Sequence, residues 1–226
     1  MYILLEGGAE FGGQMAEPDL RAIELAGGFD ALIAILPTAA APDNNHERAG
    51  RNGQRWFRSL GASHIDLVPV TDKASADNPE LASRIRAAKL IYLLGGFPRY
   101  LGETLAKSRV WQAALEAYQE GAVIAGSSAG AMVLCEYYYD PHSNKLLPGL
   151  NLLSNTCILP HHNNLAKHWV EKLTKLSPDS LLIGIDEQTG MIRNHESWSV
   201  HGAGKVTLYR GGQRQKVYVR GEKFKI

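Results

Sequence analysis

The chain has 226 residues, with 24 basic and 23 acidic side chains and a formal charge of +1. No run of like charge stands out, which argues against nucleic acid or an anionic membrane as a partner. Only two cysteines are present, which argues against a disulfide framework. A chain of this length buries a sizeable hydrophobic core and needs no disulfide bonds to stabilise it. We expect one domain over residues 1–226.

The first residues, Met1–Glu6, become acidic after four apolar side chains. A secretory signal has a basic flank and a longer apolar stretch. No window of the chain approaches the roughly 20 consecutive apolar residues that cross a bilayer. We therefore expect a cytoplasmic protein without a membrane partner.

Four short apolar runs, each followed by a glycine-rich or polar turn, predict buried strands. They are Tyr2–Leu5, Ala31–Leu36, Leu90–Leu94 and Ala122–Ala125. Helical patterns lie between them at Asp19–Ala26, Asn45–Leu60, Asn78–Ala88, Arg99–Lys107 and Arg109–Glu120. This alternation predicts an α/β fold with a doubly wound, mostly parallel sheet and helices on both faces. Ligands of such sheets bind beyond the carboxyl ends of the strands.

The C-terminal segment has a different pattern of short, often alternating runs separated by glycines. These runs are Ser197–Val200, Lys205–Arg210, Lys216–Arg220 and Glu222–Ile226. Such a pattern is typical of antiparallel strands joined by tight turns. We expect this segment to be an antiparallel extension of the same sheet rather than a second domain.

Residues 123–134 predict a strand, a sharp turn and a helix, and the turn carries a G-x-S-x-G pattern from Gly126 to Gly130. In this arrangement the central Ser128 lies on a strained turn that projects its hydroxyl group. The neighbouring Ser127 does not lie midway between two glycines, as Ser128 does. The helix that follows directs its first N–H groups at the site, so the N–H of Ala129 is placed to stabilise an oxyanion. We predict a serine hydrolase whose nucleophile is Ser128.

A serine hydroxyl group needs a base, usually a histidine that a carboxylate orients. By spacing, the candidate bases are His161, His162, His195 and His201. Adjacent residues of an extended chain point in opposite directions, so at most one of the first two faces Ser128.

The candidate acids are Asp186 and Glu187, which end an apolar run. Two catalytic triads are therefore possible, because a triad is recognised by its geometry and not by the order of its residues along the chain. They are Ser128–His161–Glu187 and Ser128–Asp186–His201.

Six motifs occur in order along most of the chain, at Leu5–Gly8, Pro37–Ala40, Leu93–Gly96, Gly126–Gly130, Leu159–His162 and Ile183–Glu187. Together they resemble the S51 serine peptidases, the family of aspartyl dipeptidase and cyanophycinase, whose fold is similar to a class I glutaminase domain. The resemblance implies Ser128 as nucleophile, His161 as base and Glu187 as acid, with Asp186 as the alternative acid. It also implies that the N–H groups of Gly96 and Ala129 form the oxyanion hole.

The chain departs from the family after its double glycine, where relatives usually carry Asn or Asp and this chain has Phe97-Pro98. That position borders the substrate site, so Phe97 and the nearby Arg99 are the candidate substrate-binding residues. An apolar side chain exchanges no hydrogen bond with a substrate. We therefore expect a less acidic residue than aspartate to be preferred on the acyl side.

The resemblance implies a serine peptidase of dipeptidase or cyanophycinase type that acts on a small peptide without a cofactor. No H-E-x-x-H motif or cysteine pair indicates a metal site. Two other interpretations stay open: an esterase of the α/β-hydrolase type that uses His195 or His201 as base, and a non-catalytic binding member of the fold. A homodimer is also left open.

Overall fold

The computed structural model describes residues 1–165 and 168–226. Its strands are β1 (Tyr2–Glu6), β2 (Leu32–Leu36), β3 (His64–Leu67), β4 (Leu90–Leu93), β5 (Val123–Ser127), β6 (Tyr137–Asp140), β7 (Lys145–Pro148), β8 (Thr156–Leu159), β9 (Leu181–Ile185), β10 (Thr189–Asn194), β11 (Ser197–Gly202), β12 (Lys205–Arg210), β13 (Gln213–Val219) and β14 (Lys223–Phe224). Its helices are α1 (Ala16–Leu25), α2 (His46–Ser59), α3 (Lys73–Ala76), α4 (Pro79–Ala87), α5 (Pro98–Leu105), α6 (Arg109–Gln119), α7 (Ala129–Val133) and α8 (Trp169–Leu176). Within these ranges no helix is both long and apolar enough to cross a membrane.

The central sheet has eight strands in the order β14-β11-β10-β1-β5-β4-β2-β3. Strands β1 to β5 run parallel, and β10, β11 and β14 are antiparallel to their neighbours. Side chains alternate between the two faces: Leu4 packs in a cluster with residues of α1 and α2, whereas Ile3 and Leu5 pack with residues of α4 to α7. The predicted doubly wound, mostly parallel α/β sheet is therefore confirmed.

The C-terminal segment divides between two sheets. Strands β10, β11 and β14 extend the central sheet, whereas β12 and β13 join β9 and β8 in a separate four-stranded sheet. The expectation that the whole segment extends one sheet is therefore wrong for β12 and β13. The physical cause is the turn after β11: Gly202 adopts φ 94°, and a Cβ at Gly204 would lie 2.6 Å from the Cβ of Asp186. This close approach directs the chain onto the free edge of β9.

Parallel pairing brings three glycine-containing turns to one edge of the central sheet. In the register of β1 and β5, Glu6 lies opposite Ser127, and Leu93 at the end of β4 lies opposite Gly126. The second sheet meets the same edge, because the N–H of His161, which follows β8, donates to the carbonyl of Gly7 at 2.7 Å. The ends of both sheets therefore form a single cleft.

Two carboxyl groups, Glu6 and Asp19, are buried together beneath this edge. The Tyr92 hydroxyl donates to Glu6 Oε2, and the Trp56 Nε1–H donates to Asp19 Oδ2 at 2.7 Å. The other oxygen of each carboxyl group has no donor among the described residues, and we expect a proton shared between the two groups to satisfy both. Burial raises the pKa of Glu6 well above its ordinary value and raises the pKa of Asp19 to about 7.

We expect this pair to make the protein less stable as the pH rises from 5 to 8. A carboxyl group whose pKa is raised on folding stabilises the fold below its unfolded pKa, and that contribution is lost as the pH rises through the folded value. For Asp19, whose pKa rises from 3.8 to about 7 on folding, this stabilisation is lost between these two pH values. In Glu6→Gln the amide donates to Asp19, so the fall in melting temperature between pH 5 and pH 8 should become smaller. An unchanged fall would contradict the shared proton, and the exposed Glu24→Gln is the control.

Candidate active site

Ser128 lies on a strained turn between β5 and α7. Its φ of 49° and ψ of −109° belong to a region that costs a non-glycine residue about 1–3 kcal/mol. The turn is tight because glycines pack without side chains: a Cβ at Gly126 would lie 2.5 Å from the carbonyl carbon of Gly130. A Cβ at Gly130 would in turn lie 2.2 Å from the carbonyl oxygen of Leu93. This is the geometry of a nucleophile elbow.

The structure brings Ser128, His161 and Glu187 into hydrogen-bond contact. Ser128 Oγ lies 2.9 Å from His161 Nε2, and His161 Nδ1 lies 2.7 Å from Glu187 Oε1. When Nδ1–H donates to the carboxylate, Nε2 is free to accept the serine proton. This is the donor and acceptor order of a serine, histidine and carboxylate triad.

The imidazole of His161 is held against the backbone of Gly8. A Cβ at Gly8 would lie 2.2 Å from the Cε1 atom of the ring. The Asn163 side chain accepts the N–H of Glu187, the residue whose carboxylate contacts the ring, at 3.0 Å. Sequence reasoning did not identify Gly8 or Asn163 as site residues, since both act through contacts between distant segments.

His162 and Asp186 form a separate buried pair that faces away from the serine. His162 Nδ1 lies 3.3 Å from Asp186 Oδ1, and its Nε2 lies 2.9 Å from the Tyr209 hydroxyl. Asp186 also accepts the N–H of Lys205 at 3.0 Å. Adjacent side chains thus point in opposite directions, and the pair joins β9 to β12 instead of contacting Ser128.

The other two candidate histidines lie on the antiparallel side of the sheet, His201 on β11 and His195 in the turn between β10 and β11. His201 contacts Ser199 at 2.9 Å and Glu17 at 3.4 Å. His195 packs edge to face on Tyr2, at the opposite end of β1 from the cleft. The hydrogen bonds of the described residues include none from either ring to Ser128, so this geometry does not support an α/β-hydrolase order.

The backbone N–H groups of Gly96 and Ala129 flank the serine on neighbouring turns. Neither group donates to an acceptor within the described ranges. Gly96 has φ 139°, and a Cβ there would lie 2.3 Å from the carbonyl oxygen of Ala39. That oxygen accepts the N–H of Phe97 at 2.8 Å, so the loop after β4 is fixed while the Gly96 N–H stays available.

Both predicted substrate-binding residues, Phe97 and Arg99, line one cavity of about 460 Å³ beside this loop. The Phe97 ring stacks on the imidazole of His142 with a centroid distance of 6.2 Å. The Arg99 guanidinium lies 2.8 Å from the Glu103 carboxylate, and both side chains are largely exposed. The charge of Arg99 is therefore already paired, and Phe97 presents the apolar surface.

Among the described residues, no group of three or more His, Cys, Asp or Glu side chains is placed to hold a metal ion. The two cysteines, Cys135 and Cys157, are buried and free. Burial raises the pKa of the Cys135 thiol to about 12. An un-ionised buried thiol is neither a nucleophile nor a ready metal ligand.

Comparison with known proteins identifies the family. The family model "Peptidase family S51" matches residues 3–200, and the chain belongs to that family. It is 28% identical over 196 residues to a cyanophycinase of Synechococcus elongatus, covering 81% of this chain and 60% of that protein. It is 28% identical over 222 residues to a cyanophycinase of Geminocystis herdmanii (strain PCC 6308), covering 92% and 80%. The chain thus spans about 60% of the length of the first of these relatives.

A solved structure is similar over the whole chain. The crystal structure of a peptidase from an acI-B1 actinobacterium has a TM-score of 0.90 and 31% identity, covering 100% of this chain and 96% of that one. The overall backbone of the chain is therefore similar to that of a peptidase.

We expect Gly8→Ala to lower kcat by about 10²-fold, because the new methyl group displaces the His161 ring from Ser128. The matched control is Gly27→Ala. Gly27 has φ 109° against 110° for Gly8, but its Cβ would have no neighbour within 4 Å. Both substitutions place a methyl group at nearly the same positive φ, so steady-state kinetics and melting temperatures separate the effect of this φ from displacement of the ring. Equal kcat in the two variants would contradict the role of the Gly8 contact.

Proposed function

We propose that this chain is a serine peptidase that hydrolyses a peptide or related amide bond through an acyl-enzyme on Ser128. The observation that carries the proposal is the pair of contacts of His161, at 2.9 Å to Ser128 Oγ and 2.7 Å to Glu187 Oε1. Membership of the S51 family supports the same chemistry.

In the first half of the reaction, His161 Nε2 removes the proton as Ser128 Oγ attacks the scissile carbonyl carbon. Negative charge then develops on the carbonyl oxygen, where the N–H groups of Gly96 and Ala129 stabilise it. Loss of one such donor typically costs about 3 kcal/mol of transition-state stabilisation. Glu187 keeps the imidazole in the required tautomer and stabilises its protonated form.

In the second half, the proton on His161 passes to the leaving amine as the carbon–nitrogen bond breaks. The acyl group stays on Ser128 as an ester. Water then loses a proton to His161 and attacks this ester through the same oxyanion site, which releases the acid and restores the serine. Every atom and proton comes from the substrate, water and these side chains.

The substrate is proposed to be a small peptide whose acyl-side residue is less acidic than aspartate. The Phe97 cavity presents an aromatic ring and prolines beside the oxyanion loop. A carboxylate buried against a phenyl ring without a partner is costly. The arginine that lines this cavity, Arg99, is already paired with Glu103.

We expect Ser128→Ala to lower kcat by about 10⁴-fold or more, since members of a triad act as a unit. Ser127→Ala removes the neighbouring hydroxyl group, which donates to Glu10 at 2.7 Å, and should be far milder. Rates of dipeptide hydrolysis by the two variants provide the test. If Ser127→Ala is the inactive variant, the elbow is assigned to the wrong serine.

We further expect Phe97→Asn to shift the specificity towards aspartyl dipeptides, because the amide can bond a polar substrate group. The measurement is kcat/KM for Asp-Leu and Leu-Leu in the wild type and in the variant. The wild type should prefer Leu-Leu. A wild type that cleaves Asp-Leu about 100-fold better, equivalent to some 2.7 kcal/mol, would contradict the role given to Phe97.

A further inference from the structure

A second histidine and carboxylate pair joins the two segments that carry the proposed base and acid. In the cleft, His161 Nδ1 lies 2.7 Å from Glu187 Oε1. One residue away on each segment, His162 Nδ1 lies 3.3 Å from Asp186 Oδ1, and we call these two residues the inner pair. The inner pair faces the protein interior, where both of its residues are buried. The two segments are therefore connected twice, once in the cleft and once beneath it.

Further hydrogen bonds keep the same two segments close together. The N–H of His162 donates to the carbonyl of Ile185 at 3.0 Å, and the N–H of Glu187 donates to the Asn163 side chain at 3.0 Å. The inner pair thus belongs to the connection between the segment after β8 and the segment after β9. A change of spacing at the inner pair is passed to His161 and Glu187, because each of them is bonded directly to a member of that pair.

The polar side-chain atoms of the inner pair all have partners. His162 Nε2 lies 2.9 Å from the Tyr209 hydroxyl group, and Asp186 Oδ2 accepts the N–H of Lys205 at 3.0 Å. When Nδ1–H donates to Asp186, the Tyr209 hydroxyl group donates to Nε2, so one tautomer of the neutral imidazole satisfies the whole network. A buried polar network that is fully satisfied makes its surroundings rigid.

The inner pair is also closely packed. A Cβ at Gly184 would lie 2.4 Å from Cδ2 of the His162 ring, so the ring packs directly on the backbone of β9. A Cβ at Gly204 would lie 2.6 Å from the Cβ of Asp186, so the turn before β12 packs as closely on the carboxylate residue. The two glycines therefore leave the pair little freedom to rearrange.

We propose that His162 is a positioning residue of the peptidase. Its bonds to Asp186 and Tyr209 set the spacing of the two segments. That spacing in turn holds the Glu187 carboxylate at Nδ1 of His161, which keeps the imidazole directed at the serine. A displacement of about 1 Å at a reacting group lowers a rate by about 10²-fold. This inference rests on the proposed function and concerns the rate of the chemical step, because the inner pair faces the interior and not the substrate.

The first test replaces His162 with phenylalanine, which keeps an aromatic ring and removes both side-chain hydrogen bonds. We expect His162→Phe to lower kcat for Leu-Leu by about 10²-fold. The value of KM should stay within about twofold of the wild type, since the substrate contacts remain in place. The matched control is His201→Phe, which removes the contacts of a histidine on β11 with Ser199 and Glu17. The control should keep the wild-type kcat.

Proton NMR provides a readout that a purely structural role of His162 would not move. The proton on Nδ1 of His161 is donated to Glu187, so its resonance lies far downfield of ordinary N–H protons. The resonance is assigned by its absence from His161→Ala. In His162→Phe, well below the melting temperature, it should move upfield or be lost through exchange with water. In His201→Phe it should stay at the wild-type position.

A second variant decides the question if His162→Phe does not fold. Tyr209→Phe keeps its ring and removes only the hydroxyl group that contacts His162 Nε2. Because one of the two bonds remains, the displacement is smaller and kcat should fall by about tenfold at an unchanged KM. The downfield resonance should move in the same direction as in His162→Phe.

The outcomes separate the inference from the proposed function. The wild-type kcat in a folded His162→Phe, or in Tyr209→Phe when His162→Phe does not fold, would overturn the positioning role. A lower kcat with an unmoved His161 resonance would overturn it as well, because the loss would then arise outside the contact with Glu187. If the wild type hydrolyses no peptide, the proposed function fails. The NMR comparison needs no substrate and still decides whether His162 sets this contact.

Discussion

The candidate site depends on three consecutive carbonyl groups at the end of β1. The carbonyl of Glu6 accepts the N–H of Ser128 at 3.0 Å, that of Gly7 accepts the N–H of His161 at 2.7 Å, and that of Gly8 accepts the N–H of Gln188 at 3.1 Å. One short backbone segment therefore sets the positions of the serine, the histidine and the residue after Glu187. Because these carbonyl groups belong to consecutive residues joined by planar peptide units, their relative positions are tightly linked.

The edge of the sheet next to this segment contains several features that are energetically unfavourable. Ser128 adopts a strained conformation, and Glu6 and Asp19 are buried as carboxyl groups. Each feature costs free energy that the surrounding core must offset. The short N-terminal strand is suited to this role because Ile3, Leu4 and Leu5 are fully buried on both faces of the sheet. The close packing of these β1 side chains keeps the strand fixed, and the strand in turn keeps Ser128 and His161 in position.

The sequence alone predicted the parallel strands and the serine turn, because buried apolar runs and the G-x-S-x-G spacing are local signals. Strand β10 was missed, since Gly190 and Arg193 interrupt its apolar pattern. The sequence left open whether Asp186 or Glu187 is the acid of the triad, because the answer depends on the direction in which each of these adjacent side chains points. The role of Gly8 depends on its contact with the ring of His161, far along the chain, which no local pattern encodes.

The central claim is that His161 activates Ser128 as a nucleophile, and trapping of the acyl-enzyme tests it most directly. The protein is mixed with p-nitrophenyl acetate, quenched in acid within the first turnover, digested and mapped by mass spectrometry. We predict a single acetyl group on Ser128 that is absent from the His161→Ala variant. An acetyl group on Ser127, or labelling of Ser128 that persists without His161, would contradict the account.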